Sequence, residues 1–346
     1  MRRRAAILLE PPRRLPPKVK HKAYAVREAG GFVWVYMGPA DKMPEFEPPP
    51  WAPTPDAKIS IVRMEVSCNW AQIMEGQIDS AHSSTLHSSD MKPAQADTAM
   101  AADTHWLRPS DDKSPRIQVE LTNYGMRYAA IRRPIINPET HDYVRVTTYV
   151  APFIALIPPN SSFNVAIAVV PKDDTSTCFN FMAWSEDRAG GIDQEAWREF
   201  CVAQIGIDVD EQYRPLRSRA NNYLQDRQAM KLGDFTGIRG IPNQDIAMWE
   251  SIGPIADRTS ERLGASDIAI VQFRRLMIAA ARSHAEGGAP IGLVEPHVPL
   301  ARLRSYQGIV PKTEDWRTFG DSEEQAALPG GLEENDAERD MAGAAM

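Results

Sequence analysis

The chain predicts an α+β fold, with a long antiparallel sheet set between helical segments. Three observations carry that prediction. A short strand and one helix come first, over about 59–82. Residues 116–184 then read as antiparallel strands, with turns at Thr122-Asn123-Tyr124-Gly125, Asn137-Pro138, Pro158-Pro159-Asn160 and Lys172-Asp173-Asp174. Capped helical patterns follow from Asp193 onward. Strands grouped between helices, rather than alternating with them, belong to α+β architectures.

The elements follow in order. Residues 1–17 are rich in Arg and Pro and read as an irregular leader. Lys18 to Gly38 reads as a β-hairpin, with a Tyr24 and Val26 arm, a turn at Glu28-Ala29-Gly30-Gly31, and a Phe32-Val33-Trp34-Val35-Tyr36 arm. A lone hairpin is marginal and needs a sheet to join. Pro44 to Pro55 is Pro-dense and predicts an extended linker. A strand is expected over Ile59–Glu65 and a helix over about Trp70–His82. Asp193 is placed as the N-cap of a helix ending near Gly206. A second helical block opens at Pro242-Asn243, runs to Gly253-Pro254, resumes to Gly264, restarts at a Ser266 cap and ends at Gly287-Gly288. Beyond about Gly320 the chain is acidic and poor in large apolar residues, so a disordered tail over 319–346 is expected.

Composition narrows the function. With 43% hydrophobic and 25% charged residues the chain reads as a soluble globular protein. A net charge of −7 gives no footprint for nucleic acid. The longest apolar stretch, Tyr149 to Val170, is broken at Pro158-Pro159-Asn160, so no membrane span is expected. The start Met1-Arg2-Arg3-Arg4 imitates a signal peptide, but its apolar part is short and ends at Glu10-Pro11-Pro12. Cys68, Cys178 and Cys201 are far apart and odd in number. They read as reduced thiols of a cytoplasmic protein, outside any Cys-x-x-Cys or Cys-x-His pair.

The segment from Cys68 to His87 carries the chemistry. His82 and His87 are two of only seven histidines, and Glu75 and Asp79 precede them. Imidazole suits iron, copper, zinc and nickel, so the pair alone does not choose a metal. Five residues on a straight helix turn through about 500°, leaving the two rings about 140° apart. They converge only if the helix loosens, and Ser83-Ser84-Thr85 is a helix-weak run whose hydroxyls compete for backbone hydrogen bonds. The spacing is not that of a His-Glu-x-x-His zinc peptidase. Asp79 shares a helix face with His82 and could ligate a metal or orient the imidazole that does. The same spacing also fits a solvated helix face bearing surface histidines.

Taken together, Asn69-Trp70-x-Gln72-x-x-Glu75-Gly76-x-x-Asp79-x-x-His82-x-x-x-x-Leu86-His87 resembles the iron-site signature of the Rieske non-haem iron ring-hydroxylating oxygenases. It looks most like the phthalate 4,5-dioxygenase oxygenase-component branch. Two further matches run in family order, from Phe235-Thr236-Gly237-Ile238 to Asp257-Arg258 and from Leu263-Gly264 to Phe273-Arg274-Arg275. The resemblance implies that His82, His87 and the distant Asp245 hold a mononuclear Fe(2+), and that Asp79 bridges a ligand histidine to the cluster of a neighbouring subunit. Without the resemblance, Asp245 reads as an acidic residue in the first turn of a helix.

The resemblance also implies a helix-grip type of catalytic domain, an antiparallel sheet wrapped around helices, over 49–318. Residues 18–48 would be the remnant of a Rieske-type β domain. The family's Cys-x-His and Cys-x-x-His ligands to a [2Fe–2S] cluster are not in this sequence, so the chain is expected to begin after its cluster. The implied partners are O2, a reductase or ferredoxin donor, a small aromatic acid such as phthalate, and further copies in a trimer-based assembly. A carboxylate substrate calls for arginine, and Arg108, Arg116, Arg127, Arg132, Arg133 and Arg145 are the candidates. Three readings stand: an oxygenase catalytic domain, whose relatives include O-demethylases; a cluster-less remnant that binds iron or a small aromatic ligand; and a zinc hydrolase on the same triad. The three matched segments favour the first.

Overall fold

The computed structural model describes residues 22–94, 107–158, 163–186, 190–293 and 299–320. The expected leader over 1–17, the tail beyond Gly320 and most of the Pro158-Pro159-Asn160 turn lie outside them.

An antiparallel sheet forms the body of the molecule. Strands β1 (Ala25–Ala29) and β2 (Phe32–Tyr36) make a separate hairpin; β3 (Lys58–Val66) opens the main sheet and leads into helix α1 (Trp70–Gln77). Strands β4 (Arg116–Thr122), β5 (Gly125–Arg132), β6 (His141–Val150), β7 (Ile154–Ile157), β8 (Asn164–Asp173) and β9 (Ser176–Ser185) follow as a meander. The order across the sheet is β3-β9-β8-β7-β6-β5-β4. Then come α2 (Gln194–Cys201), α3 (Arg227–Lys231), α4 (Ile241–Ile252), α5 (Ile268–Ala285) and strand β10 (Tyr306–Pro311). β6 pairs β5 along one edge and, along the other, β7 through Thr148–Val150 and β10 through His141–Val146.

The period-2 alternation of each strand divides its side chains between two layers. Val62, Met64, Tyr128, Tyr149, Val165, Ile167, Phe179 and Phe181 face the helices, where they meet Ile73 and Met74 of α1, Trp197 of α2, Ile246 and Trp249 of α4 and Phe273 of α5. Leu156, Ala166, Ala168, Met182 and Trp184 form the opposite layer with Trp51, and Phe32 and Trp34 of the hairpin pack on it. A sheet covered by helices on one face agrees with the α+β expectation.

Several elements differ from the sequence reading. Pro44–Pro55 is not extended throughout: Ala52 N–H closes a turn onto the Pro49 carbonyl, and Trp51 within it is fully buried and donates to the carbonyl of Gly30. Gly30 has a left-handed backbone (φ +60), and a Cβ there would press on the Trp51 indole. Helix α2 stops at Cys201, short of Gly206, because Val202 turns left-handed. Asp193 does stand at its N-cap position, but its carboxylate pairs with Lys58 at 2.7 Å instead of capping. The helix expected to resume after Pro254 does not form. Asp257 closes a side-chain turn onto Thr259, and Arg258 reaches across to Glu75. α5 starts at Ile268 behind Asp267, not at a Ser266 cap.

Candidate metal centre

Helix α1 begins at Asn69, whose side chain accepts the Ala71 N–H, a standard N-cap arrangement. It ends at Gln77, earlier than the sequence reading of a helix to His82. Asp79 explains the stop: its Oδ1 accepts the N–H groups of Ala81 (2.8 Å) and His82 (3.4 Å) and opens a new tight turn. His82–Ser84 is a 3-10 segment, so the loosening falls both before and at the serine run.

Helix α4 brings in Asp245. It starts at Ile241 with Pro242 in its first turn, so Asp245 lies beyond that turn rather than within it. α1 and α4 are stitched together by Gln72. Its amide nitrogen donates to the carbonyls of Trp249 (2.9 Å) and Gly253 (2.8 Å), and its oxygen accepts the Ala256 N–H (2.9 Å). Gly76 lies against the Trp249 indole, where no Cβ fits.

The two helices juxtapose three donors. His87 Nε2 is 3.1 Å from Asp245 Oδ1, His82 Nε2 is 3.5 Å from the same oxygen, and the two Nε2 atoms are 3.2 Å apart. His82, His87 and Asp245 each offer one ligand atom within 4.8 Å of the others. The remaining ring nitrogens are taken. His82 Nδ1 faces Asp79 Oδ2 at 3.3 Å and His87 Nδ1 faces Gln244 Oε1 at 2.7 Å. Both partners are acceptors, so each Nδ1 carries its proton. Two Nε2 atoms and a carboxylate oxygen then face one another, an arrangement in which a bound metal can take the place of the proton that His82 shares with Asp245. Two imidazoles and one carboxylate on one side suit a divalent transition metal with open positions, such as iron(II).

The charges respond to one another. Burial, the largest single influence on His82, disfavours its charged form, but Asp245 and Asp79 outweigh burial and push its pKa up to about 10. Burial likewise acts against the Asp245 carboxylate, and His87 and His82 outweigh it, holding Asp245 far below the usual carboxylate range. Asp79 is lowered in the same manner: burial opposes, and the His82 contact and the Ala81 N–H prevail. A cleft of about 340 Å³ opens over Asp79, His82 and Asp245, walled by Leu86, Phe235, Met248 and Trp249.

With this geometry in place, known proteins are informative. A family model described as "LigXa C-terminal domain like" matches residues 35–339. The chain is 57% identical over 302 residues to the phthalate 4,5-dioxygenase oxygenase subunit of Pseudomonas putida, covering 87% of this chain and 68% of that protein. It is 32% identical to the 3-chlorobenzoate-3,4-dioxygenase oxygenase subunit of Comamonas testosteroni, covering 87% and 71%. It is 26% identical to the 5,5'-dehydrodivanillate O-demethylase oxygenase subunit of Sphingobium sp., covering 82% and 58%. The chain belongs to the Rieske non-haem iron aromatic ring-hydroxylating oxygenases. It spans between about half and three quarters of the length of these relatives.

Within this oxidoreductase family member, the structure sorts the six candidate arginines. Arg116 is exposed and pairs with Asp142, and Arg133 is exposed. Arg127 is fully buried against Glu120 and the carbonyls of Arg317 and Phe319, where it anchors the 316–319 segment. Arg108, Arg132 and Arg145 are 4%, 2% and 6% exposed, and Arg145 lies close enough to disfavour the charges of Arg108 and Arg132. Burial, followed by the Arg145 charge, lowers Arg108 to about 9 and Arg132 to about 10. Arg108 donates to Ser84 Oγ (2.6 Å) and Ser83 Oγ (3.1 Å), and Arg132 to the Ser80 carbonyl (2.7 Å) and Ser84 Oγ (3.2 Å). Two guanidiniums therefore grip the very segment that carries His82. Among the described residues, Arg108 Nε and Arg132 Nε and Nη1 find no hydrogen-bond partner.

The sequence reading did not single out Gln244 or Asp90. Gln244 is 1% exposed, and its amide nitrogen donates to Asp90 Oδ2 (2.7 Å) and the Ile238 carbonyl (2.8 Å). The only local signal was its place beside Asp245. Ser80, whose hydroxyl meets that of Tyr128 at 2.9 Å, also went unnoticed.

Proposed function

We propose that the chain is the catalytic part of an oxygenase terminal component. It hydroxylates an aromatic carboxylate, phthalate being the substrate named for its relative, at a mononuclear iron(II) held by His82, His87 and Asp245. The observation that carries this reading is the convergence of two Nε2 atoms and one Asp245 oxygen, with both Nδ1 positions occupied. Iron(II) held there would supply a site for dioxygen activation, the electrons coming from the separate donor.

The chain's own residues do the rest. Asp79 accepts the His82 Nδ1–H, which fixes the ring and raises its basicity. Its place on the lining of the 340 Å³ cleft suits the bridging role that would deliver electrons from a neighbouring cluster. Arg108, Arg132 and Arg145 form a buried cationic group beside the His82 segment, and unspent N–H donors there fit the paired oxygens of an aromatic acid. The domain reading goes with this: 49–318 as the catalytic unit and 18–48 as part of a preceding β domain, supported by the hairpin's separate two-stranded sheet. A ferredoxin or reductase, O2 and further copies of the chain are the proposed partners. The unpaired cysteines support a cytoplasmic setting.

The test is iron stoichiometry under anaerobic conditions, joined to product analysis with a reductase, on this chain and on a version extended upstream through a cluster domain. Phthalate and a methoxybenzoate are offered in parallel, separating ring hydroxylation from O-demethylation. Iron uptake with hydroxylation by the extended version is expected. Iron uptake without product from either version would leave a ligand-binding remnant. His82→Ala and Asp245→Ala should each lose the iron, and stoichiometric iron in the Asp245 variant would show that another carboxylate is the ligand.

A further inference from the structure

Gln244 makes three contacts that together allow one orientation. Its amide nitrogen has two hydrogens, and both have acceptors, Asp90 Oδ2 at 2.7 Å and the Ile238 carbonyl at 2.8 Å. Its oxygen therefore faces His87 Nδ1, at 2.7 Å. The flipped amide would set its oxygen against a carboxylate and a carbonyl, two acceptors facing an acceptor. With the amide oriented this way, Nδ1 of His87 must donate, and Nε2 is the nitrogen turned toward Asp245, 3.1 Å from its Oδ1.

We propose that Asp90 and Gln244 are a positioning pair that sets the tautomer of His87. Asp90 orients the amide, the amide holds the Nδ1 proton, and the Nε2 lone pair is presented to the metal. The inference rests on the reading of His82, His87 and Asp245 as a metal centre. It concerns the opposite side of that centre from Asp79, so the two ligand histidines are oriented by different chemistry. His82 has a carboxylate at its Nδ1, and His87 has a neutral amide whose charge partner stands one residue further out. The local chain suits the role. His87 is 3% exposed and Gln244 1% exposed. Asp90 follows His87 by one turn, its N–H bonded to the His87 carbonyl at 3.0 Å.

The experiment reads the tautomer directly. Long-range 1H–15N correlation spectra of histidine-labelled, metal-free full chain distinguish an Nδ1–H ring from an Nε2–H ring. His87 is expected as Nδ1–H in the wild type and in Asp90→Asn, whose side-chain oxygen still accepts from Gln244. In Asp90→Ala only the Ile238 carbonyl still holds the amide, so an Nε2–H population is expected; Gln244→Ala, with the amide removed, should show a larger one. Asp90 is exposed, so Asp90→Ala leaves the core intact and keeps the test alive if the Gln244 variant does not fold. Iron(II) affinity should fall about 10–100-fold in Gln244→Ala, as for other partners of ligand histidines, and stay near wild type in Asp90→Asn. An unchanged Nδ1–H signal in both alanine variants would overturn the proposal. A wild type that takes up no iron, while the tautomers respond as stated, would remove the metal reading and leave the hydrogen-bond assignment standing.

Discussion

Arg274 of α5 grips Glu75 of α1 through two parallel hydrogen bonds, Nε to Oε1 and Nη2 to Oε2, each 2.9 Å long. Arg258 adds a third contact to Oε1 at 3.0 Å, and Glu261 steadies Arg274 from outside at 2.7 Å. Glu75 lies one turn before Asp79, so this fork fixes the rotation of the helix that delivers the candidate ligands. Removing one partner of a buried pair typically costs about 3–5 kcal/mol. Arg258 remains as a partial partner here, so Arg274→Met should cost about 2–3 kcal/mol, in line with charge-assisted hydrogen bonds. Urea unfolding of the metal-free chain measures it. Arg274→Lys should recover little, because an ammonium cannot span both oxygens. Full recovery by lysine would reduce the fork to simple charge neutralisation.

Gly76→Ala tests the approach of α1 to α4. A Cβ at this position overlaps the Trp249 indole. Overpacking of this kind costs about 1–3 kcal/mol, and separating the helices pulls Asp245 from the histidines. Lower iron affinity together with altered tryptophan fluorescence is the expected pair of results. A variant with wild-type iron binding would mean that the two helices move without carrying the ligands apart.

Arg132→Met separates function from stability. Arg132 makes no ion pair among the described residues, and its neighbours Arg108 and Arg145 carry the same charge. A buried cation of this sort adds little stability, so the ligand-free variant should melt at or above the wild-type temperature. Binding should suffer instead. Losing a charge-assisted contact of about 1.5–3 kcal/mol weakens phthalate about 10–100-fold. In thermal shift the wild type gains about 2.7 kcal/mol at a ligand concentration 100 times Kd, and the variant should gain far less at that concentration. Equal ligand stabilisation of both proteins would place the carboxylate elsewhere.

What could be read from sequence depended on how local each signal was. His82 and His87 share one short segment, and the need for a break between them was visible in Ser83-Ser84-Thr85. Asp79 ends α1 early by capping the next turn, which a helix pattern does not reveal. Asp245 could be reached only through the family resemblance, because its role depends on α4 folding back onto α1. The arginines show the limit most plainly. Arg132 and Arg133 are neighbours, yet one is buried and the other exposed, since Arg132 ends β5, which is buried along its whole length, and Arg133 lies just beyond the strand. Where the strand ends and burial stops is set by packing with elements far away in sequence. Strand β10 was missed because Gly308 and Pro311 weaken its pattern, and its pairing with β6 is long-range. Gln244 and Asp90 were missed because their meaning needs three elements to meet at one amide.

Proton release on metal uptake gives the last prediction. In the metal-free chain Asp245 and Asp79 overcome burial and hold His82 as an imidazolium up to about pH 10, against an ordinary value of 6.5. The folded state thus binds this proton more tightly than the unfolded chain. Its contribution to stability is complete below about 6.5 and is lost as pH rises toward 10. A metal needs the neutral ring, so it must displace that proton. Between pH 6.5 and 8.5 the apparent iron(II) affinity should rise about tenfold per pH unit, with one proton released per ion. The metal-free chain should lose stability across the same window while the saturated chain stays nearly level, because neither its bound ring nor the unfolded ring then carries the proton. Chelator competition and pH-jump calorimetry measure the two slopes. Asp79→Asn removes one of the two carboxylates that favour the imidazolium, so it should flatten the affinity slope near pH 8. A slope unchanged by that substitution would assign the proton to a group other than His82.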